Sequence, residues 1–306
     1  MNYIGIDTSN YTTSIAAFDG CGGIDCARLL PVKQGELGLR QSDAVFAHIK
    51  SLPELSGRLF SDLSGEIAAI GVSTRPRAVD GSYMPCFMVG MSHAKMLSDA
   101  LGVPMVEVSH QQGHVAASLW SAGRLDLMDR PHLAWHLSGG TTELLLVEPE
   151  GRNVRCTKIG GTTDISAGQL IDRTGQLLEL PFPSGKHLDQ LSTGAEMKAV
   201  FKVKCQDLTF SLSGIQNKVQ QFHAEHGIPE ETAGYALRCV AGAVFRTTEE
   251  AMKRYPGTEV VFSGGVASNS MLRKVMAPLD PVFSEPRYST DNAMGVAVLA
   301  KRMTEG

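Results

Sequence analysis

The chain has 306 residues, more than one hydrophobic core of ordinary size organises, so two domains are expected. A hydrophobic fraction of 43% and a charged fraction of 20% are ordinary for a globular protein. The formal net charge of −4 argues against a surface coated in positive charge for nucleic acid. Arg75, Arg77, Arg152, Arg155 and Lys158 are the material for a local basic patch, with solvated surface the simpler reading.

The chain opens directly on an apolar strand, Tyr3-Ile4-Gly5-Ile6, so no signal peptide is expected ahead of it. No apolar run is long enough to span a bilayer, and a cytoplasmic location without a membrane partner is the expectation. The six cysteines, Cys21, Cys26, Cys86, Cys156, Cys205 and Cys239, form no CxxC pair and read as reduced thiols rather than disulfides or a zinc ribbon. Cys21 and Cys26 flank a Gly-Gly pair and read as loop residues.

Residues 3–18 form an apolar strand, a polar tip with a Thr-Thr pair and a second apolar strand, which predicts a β-hairpin. Residues 42–56 predict an amphipathic helix and 67–73 a buried strand. A helix over 91–101 ends at Gly102, a strand follows at 105–108, and 110–122 reads as a helix stopped by Gly123. Residues 133–147 repeat the strand, polar turn, Thr-Thr and strand pattern of the first hairpin about 130 residues later. That spacing points to two duplicated lobes rather than a solenoid. Then come a helix over 167–178, a Pro/Gly loop at 181–185, helices over 214–225 and 229–254, a strand at 259–262, a Gly-Gly turn and a helix over 269–276. The last helix is expected from about Thr290 to Arg302. Helices alternating with strands imply helix-covered sheets.

Two glycine-rich points carry chemistry. Ser138-Gly139-Gly140-Thr141-Thr142 sits at a hairpin tip, where glycine lets backbone amides approach a phosphate and hydroxyls add donors; a plain turn uses the same residues. Ser263-Gly264-Gly265-Val-Ala-Ser-Asn269 follows a buried strand and precedes a helix, a place where amides and a helix N-terminus face a ligand. His110 and His114 stand four apart on one helical face, a spacing open to one metal ion or to two ordinary surface histidines. No glutamate follows His110, so the HExxH protease pattern is absent. Asp291, just ahead of the last helix, reads by itself as a capping residue.

These residues resemble the TsaD family, the metal- and ATP-binding subunit that makes threonylcarbamoyladenosine in tRNA. His110-Gln-Gln-Gly-His114 is similar to the family's HxEGH and Ser138-Gly139-Gly140 to its SGGHT. Ile159-Gly-Gly-Thr-Thr-Asp164 and Ala167-Gly168-Gln-Leu-Ile-Asp172-Arg173 are similar to IGxTxDDAAGExxDK. Phe182-Pro-Ser-Gly185 is similar to YPGG, Phe210-Ser-Leu-Ser-Gly214 to FSFSG, Gly264-Gly-Val-Ala-Ser-Asn269 to GGVAAN and Thr290-Asp291-Asn292 to TDNA, in the family's order and nearly end to end.

The resemblance implies an α/β protein of the actin-like ATPase (ASKHA) superfold, with two duplicated lobes of mixed sheets covered by helices. One lobe is expected over 1–128 with 287–306 and the other over 129–286. It implies one divalent ion, iron(II) or zinc(II), on His110, His114 and Asp291. It implies ATP or an acyl-adenylate, with magnesium a further candidate, held by His136, Leu137, Ser138, Gly139, Gly140, Asp172, Gly185 and Asn269. Asp7 is the one catalytic candidate. tRNA and a same-fold partner subunit or second copy are the macromolecular partners it suggests.

The departures remove charge. Where the family has TSCDETS the chain has Thr8-Ser9-Asn10-Tyr11-Thr12-Thr13-Ser14; Gln112 stands for the Glu of HxEGH, and Ile165 and Gln169 for acids of DDAAGE. Thr141 replaces the His of SGGHT, and TxGPGL survives only as Thr74-Arg75-Pro76-Arg77-Ala78-Val79. Five carboxylates are thus missing from motifs expected to line the site, which reads as a diverged paralogue. The expected function is transfer of a carbamoyl-type acyl group from an adenylate to tRNA adenosine. The alternatives are a small-molecule acceptor on the same fold and a non-catalytic nucleotide-binding scaffold.

Overall fold

The computed structural model describes residues 1–9, 11–30, 39–195, 202–289 and 293–305. The chain divides into two compact units, Met1–Arg130 with Glu148–Cys156 and Arg287–Gly306, and Pro131–Val147 with Thr157–Pro286.

In the first unit, β1 (Asn2–Thr8) and β2 (Thr12–Phe18) form the expected hairpin, antiparallel from Tyr3 opposite Phe18 to Thr8 opposite Thr13. β3 (Gly23–Leu29) adds antiparallel to β2, and β4 (Ile67–Arg75) and β5 (Met105–Ser109) add in parallel beyond β1, giving the order β3-β2-β1-β4-β5. Ile4, Ile6, Ile15, Ile70 and Val72 on one face pack Leu52, Leu55 and Leu59 of α1 (Gln41–Asp62) and Val89 and Ala94 of α2 (Phe87–Leu101). On the other face Ala16 and Phe18 pack Met294, Ala297 and Val298 of the last helix (Met294–Thr304). That helix crosses α3 (His110–Ser121) so closely that a Cβ on Gly295 would lie 1.9 Å from the Gly113 carbonyl oxygen, so a larger residue is excluded there.

Three expectations change in this unit. α1, which contains Pro53, continues six residues past position 56, where Leu59 prolongs its buried stripe. Cys26 lies in β3, not in a loop. The last helix starts at Met294 rather than near Thr290, and Thr290, Asp291 and Asn292 lie outside the described residues.

In the second unit, β6 (His132–Leu137) and β7 (Thr142–Glu150) form the second expected hairpin. β11 (Val260–Ser263) runs parallel to β6, and β12 (Val282–Phe283) parallel to β11. Beyond β7 come β8 (Asn153–Thr162), β10 (Thr209–Phe210) and β9 (Cys205–Gln206). The run β8-β7-β6-β11-β12 repeats the order of β3-β2-β1-β4-β5, with the pairing senses around β1 recurring around β6. The duplication suggested by the two hairpins therefore extends to whole sheets. Leu133, Trp135, Leu137, Leu144, Val260 and Phe262 face a core closed by α4 (Ala167–Leu177), α6 (Ser213–His226) and α7 (Pro229–Arg254). By the two-residue period, His136, Glu143 and Ser263 face the other way. α5 (Gly185–Ser192) was not legible as a helix beside its Pro/Gly loop, and α8 (Ser270–Met276) follows Asn269. The last helix is α9. Among the described residues no helix is long and apolar enough to cross a membrane.

Candidate functional site

Asp7 lies near the C-terminal end of β1 and is wholly inaccessible. The Ser73 hydroxyl of β4 donates to its Oδ1, and His110 Nδ1 lies 3.1 Å from the same atom. His110 is the first residue of α3, directly after β5, and His114 stands one turn on. Their Nε2 atoms are 2.9 Å apart, with the rings edge-on at 77°. A carboxylate only accepts, so Nδ1 of His110 carries the hydrogen and its Nε2 presents a lone pair toward His114. Metal–imidazole bonds of about 2.0–2.1 Å set two neighbouring ligands of one ion about 3 Å apart, so the pair fits a single divalent cation. Among the described residues no group of three His, Cys, Asp or Glu side chains is arranged to hold a metal, and Asp291 lies outside them.

Two polar residues around this pair carried no sequence signal. Ser73 looked like one more residue of a buried strand. His48, wholly buried on α1, bonds Thr13 Oγ1 through Nδ1 at 2.8 Å beneath the first hairpin, and burial pushes its pKa down. At that tip Tyr11 is 39% exposed while Thr12 is buried, so of the two sites of lost acid only one faces outward.

In the second unit the Ser138-Gly139-Gly140 turn joins β6 to β7. Ser138 Oγ accepts from Thr141 N, and Ser166 Oγ donates to the Gly139 carbonyl at 2.6 Å. The N-terminus of α4 lies against the turn: a Cβ on Gly168 would come within 2.5 Å of Gly139 Cα and of the Ser138 carbonyl oxygen. On the outer side a Cβ on Gly139, Gly140 or Gly265 would meet nothing within 4 Å, which leaves room for a phosphate against the backbone. Gly264 holds a positive φ of 90° and packs on Leu137, so the second glycine turn adjoins the first.

The other named residues have definite partners. Leu137 is wholly in the core, so only its backbone can face a ligand. His136 Nδ1 lies 3.4 Å from Ser263 Oγ. Asp172 accepts from Ser184 N at 2.8 Å and burial raises its pKa, while Gly185 opens α5 next to that amide. Asn269 is the N-cap of α8, its Oδ1 accepting from Leu272 N at 3.0 Å.

Three of the five positions of lost acid have defined partners in the structure. Gln112 and Gln169 are the third residues of capping boxes on α3 and α4, bonding the backbone amides of Ser109 and Ser166. Gln112 also donates to the Val154 carbonyl at 2.7 Å. Both positions therefore serve to begin helices. Ile165 is partly buried and packs against the core. Of the five cations named as material for a local basic patch, Arg155 pairs with Glu148, Lys158 with Glu143, and Arg152 donates to C-terminal carbonyls.

Comparison with known proteins fits this geometry. The full-length HypF structure in its phosphate- and nucleotide-bound form superposes with a TM-score of 0.61 at 14% identity, over 98% of this chain and 46% of that one. A ROK family glucokinase from Streptomyces griseus, in complex with glucose and AMPPNP, gives 0.56 at 12% identity over 99% and 100% of the two chains. These likenesses establish the actin-like ATPase fold. The family model for tRNA N6-adenosine threonylcarbamoyltransferase matches residues 38–298. The enzyme of that name from Carboxydothermus hydrogenoformans is 32% identical over 76% of this chain and 70% of its own length, and that from Syntrophobacter fumaroxidans 30% identical over 83% and 79%. The chain therefore belongs to the TsaD family of tRNA N6-adenosine threonylcarbamoyltransferases, a family of acyltransferases.

Proposed function

We propose that the chain binds one divalent metal through His110, His114 and Asp291 and holds ATP or an acyl-adenylate on its glycine turns. There it transfers a carbamoyl-type acyl group to an acceptor amine or hydroxyl, in the cytoplasm. The observation that carries this reading is the imidazole pair with Nε2 atoms 2.9 Å apart, whose His110 tautomer is fixed by buried Asp7. Iron(II) or zinc(II) there would supply a Lewis acid for an anionic or carbonyl oxygen. Ser138, Gly139 and Gly140 offer backbone and hydroxyl donors to the phosphate, and Asp172, Gly185 and Asn269 the flanking contacts. Asp7 orients His110 rather than touching substrate. In the transfer the acceptor's nitrogen or oxygen bonds the acyl carbon, the acyl–phosphate bond breaks, AMP leaves with the bonding pair, and the acceptor's proton is released to solvent. Magnesium with the nucleotide, and a same-fold subunit or second copy as companion, belong to the same proposal.

tRNA adenosine is the acceptor the family supports. Tyr11, exposed at the first hairpin tip in place of an acid, favours a changed, small acceptor as the second reading. Metal analysis of anoxically purified protein, with an adenylate-transfer assay run with and without tRNA, separates them. Near-stoichiometric metal and tRNA-dependent loss of adenylate are expected of the first. Metal with transfer to small amines or hydroxyls alone supports the second. Metal-free protein that binds nucleotide without turnover would leave the scaffold.

A further inference from the structure

In the first unit β1, β4 and β5 run parallel, and Asp7, Arg75 and Ser109 stand at or next to their carboxyl ends. The chain leaves β4 for α2, which packs on the sheet face that also holds α1. It leaves β5 for α3, whose Trp120 packs with α9 on the opposite face. Connections that depart to opposite faces leave a crevice between them at the carboxyl ends of the strands, where parallel sheets bind ligands.

One wall of this crevice departs from the family. TxGPGL is replaced by Thr74-Arg75-Pro76-Arg77-Ala78-Val79. Ser73 lies opposite Val108 and Arg75 opposite Ser109, so β4 takes two steps where β5 takes one. Such a bulge re-aims the side chain that follows it. Arg75 is exposed there, opposite the N-cap of α3. The chain then meets α3 itself, Gln111 N donating to the Pro76 carbonyl at 3.0 Å. Arg77 N donates to Ser82 Oγ at 3.0 Å and Ser82 N to the Val79 carbonyl at 3.2 Å, which folds residues 77–82 on themselves. Tyr83 follows, 66% exposed. Phe87, the first residue of α2, returns to the same place, its ring centroid 6.1 Å from that of His110. Both ends of the loop thus touch the turn of α3 that carries His110.

A guanidinium stays charged and offers a planar fork to a carboxylate or phosphate. Asp80 is the only acid in residues 74–86, against the exposed Arg75 and Arg77. So small a cationic patch suits one oxyanion, not a run of backbone phosphates. We propose that Arg75 is a specificity residue for the acceptor, holding the carboxylate or phosphate of a small amine beside the imidazole pair. The oxyanion stays unreacted. The amine nitrogen bonds the acyl carbon, its proton goes to solvent, and AMP leaves with the bonding pair. The inference rests on the small-acceptor reading and names its substrate class.

The test is calorimetric titration of the full chain, without metal, with phosphoethanolamine, β-alanine and ethanolamine, amines that carry a phosphate, a carboxylate and no anion. One or both anionic amines are expected to bind about tenfold tighter than ethanolamine, and the tighter one identifies the anion. Arg75→Leu is expected to cut that advantage to about threefold or less, and Arg75→Glu to favour ethanolamine, with melting temperatures kept at this exposed position. No advantage in the wild type, or one that survives Arg75→Leu, overturns the proposal. Transfer from threonylcarbamoyl-adenylate by the metal-loaded chain is then followed on the same amines and on tRNA. A preference for the anionic amine that Arg75→Leu removes supports the proposal. Equal transfer to all three amines overturns it while leaving a small acceptor. Transfer to tRNA alone overturns the small-acceptor reading, and this inference with it.

Discussion

At the scale of single residues, a buried carboxylate decides the state of a histidine. Asp7 accepts from His110 Nδ1 and so aims the Nε2 lone pair at the position His114 also faces. Asp7→Asn presents an amide that no longer favours that tautomer. Metal affinity, measured by competition with a chromophoric chelator, is expected to fall about ten- to a hundredfold, as for other residues that bond a ligating histidine. An unchanged affinity would separate Asp7 from the metal. Asp25 on β3 makes a different point. Burial pushes its carboxyl up to about 6, against the opposing pull of Arg287 and the Ala293 amide. An acid with a raised folded pKa binds its proton more tightly in the native state, so it stabilises the fold at low pH and that gain is lost as pH rises through about 4 to 6. A tenfold difference in proton affinity between the folded and unfolded chain corresponds to about 1.4 kcal/mol. Asp25→Asn should therefore be more stable than wild type at pH 7.5 in urea melts, with the difference shrinking toward pH 4.5. Parallel pH profiles would contradict it.

At the scale of elements, the candidate residues of each unit gather where a helix begins. α3 and α4 each open with a Ser and close a capping box with a Gln, which fixes His110 at the start of one helix and brings the other against the Ser138–Gly140 turn. Glutamine and glutamate both serve as the box's third residue, so the two positions look alike in sequence, yet they differ in what else they do. Gln112 donates its amide to the Val154 carbonyl in the interior, and Gln169 is exposed. Gln112→Glu should cost about 1–3 kcal/mol, because a carboxylate would face a carbonyl with no donor between them. Gln169→Glu should be near neutral. Chemical denaturation of both variants checks this, and equal effects would mean that the Val154 bond contributes nothing.

Glycine makes a second contrast between elements. Gly168→Ala would drive a methyl into the turn backbone and should destabilise the protein by about 1–3 kcal/mol as well as weaken AMP binding. A Cβ on Gly139 meets no protein atom within 4 Å, so Gly139→Val should keep its melting temperature and still lose AMP affinity at least tenfold. Loss of stability without loss of affinity in the Val variant would move the ligand elsewhere. Asn269→Ala is a poorer probe than its motif suggests, because it also removes the α8 cap, worth about 1 kcal/mol.

At the scale of the whole molecule, the chain alone is expected to be a slow tRNA threonylcarbamoyl transferase. A net charge of −4 gives no broad attraction for a polyanion, and the cations once eligible for a patch include three already engaged with carboxylates or carbonyls. The first hairpin tip, where Tyr11 is exposed, is the place to test the loss of an acid. Tyr11→Asp should raise transfer to tRNA in a reconstituted assay, whereas Thr12→Glu buries a charge and should instead lower stability. A native chain that already modifies tRNA as fast as its relatives would refute the divergence.

The sequence by itself determined the duplicated hairpins, the helix-and-strand alternation, the family and the histidine pair, because periodicity and motif spacing are local properties written along the chain. It also placed α7 at Pro229–Arg254 as observed. Only the tertiary structure decided which polar residues meet. Ser73 and Asp7 lie on neighbouring strands 66 residues apart in sequence, and Gln112 reaches Val154 across 42. The extension of α1 and the strand at Cys26 follow from packing and pairing within the first unit rather than from propensity. A glutamine in a motif looks the same whether it faces a ligand or closes a helix; burial and its bonding partners distinguish the two, and both are set by residues distant in sequence.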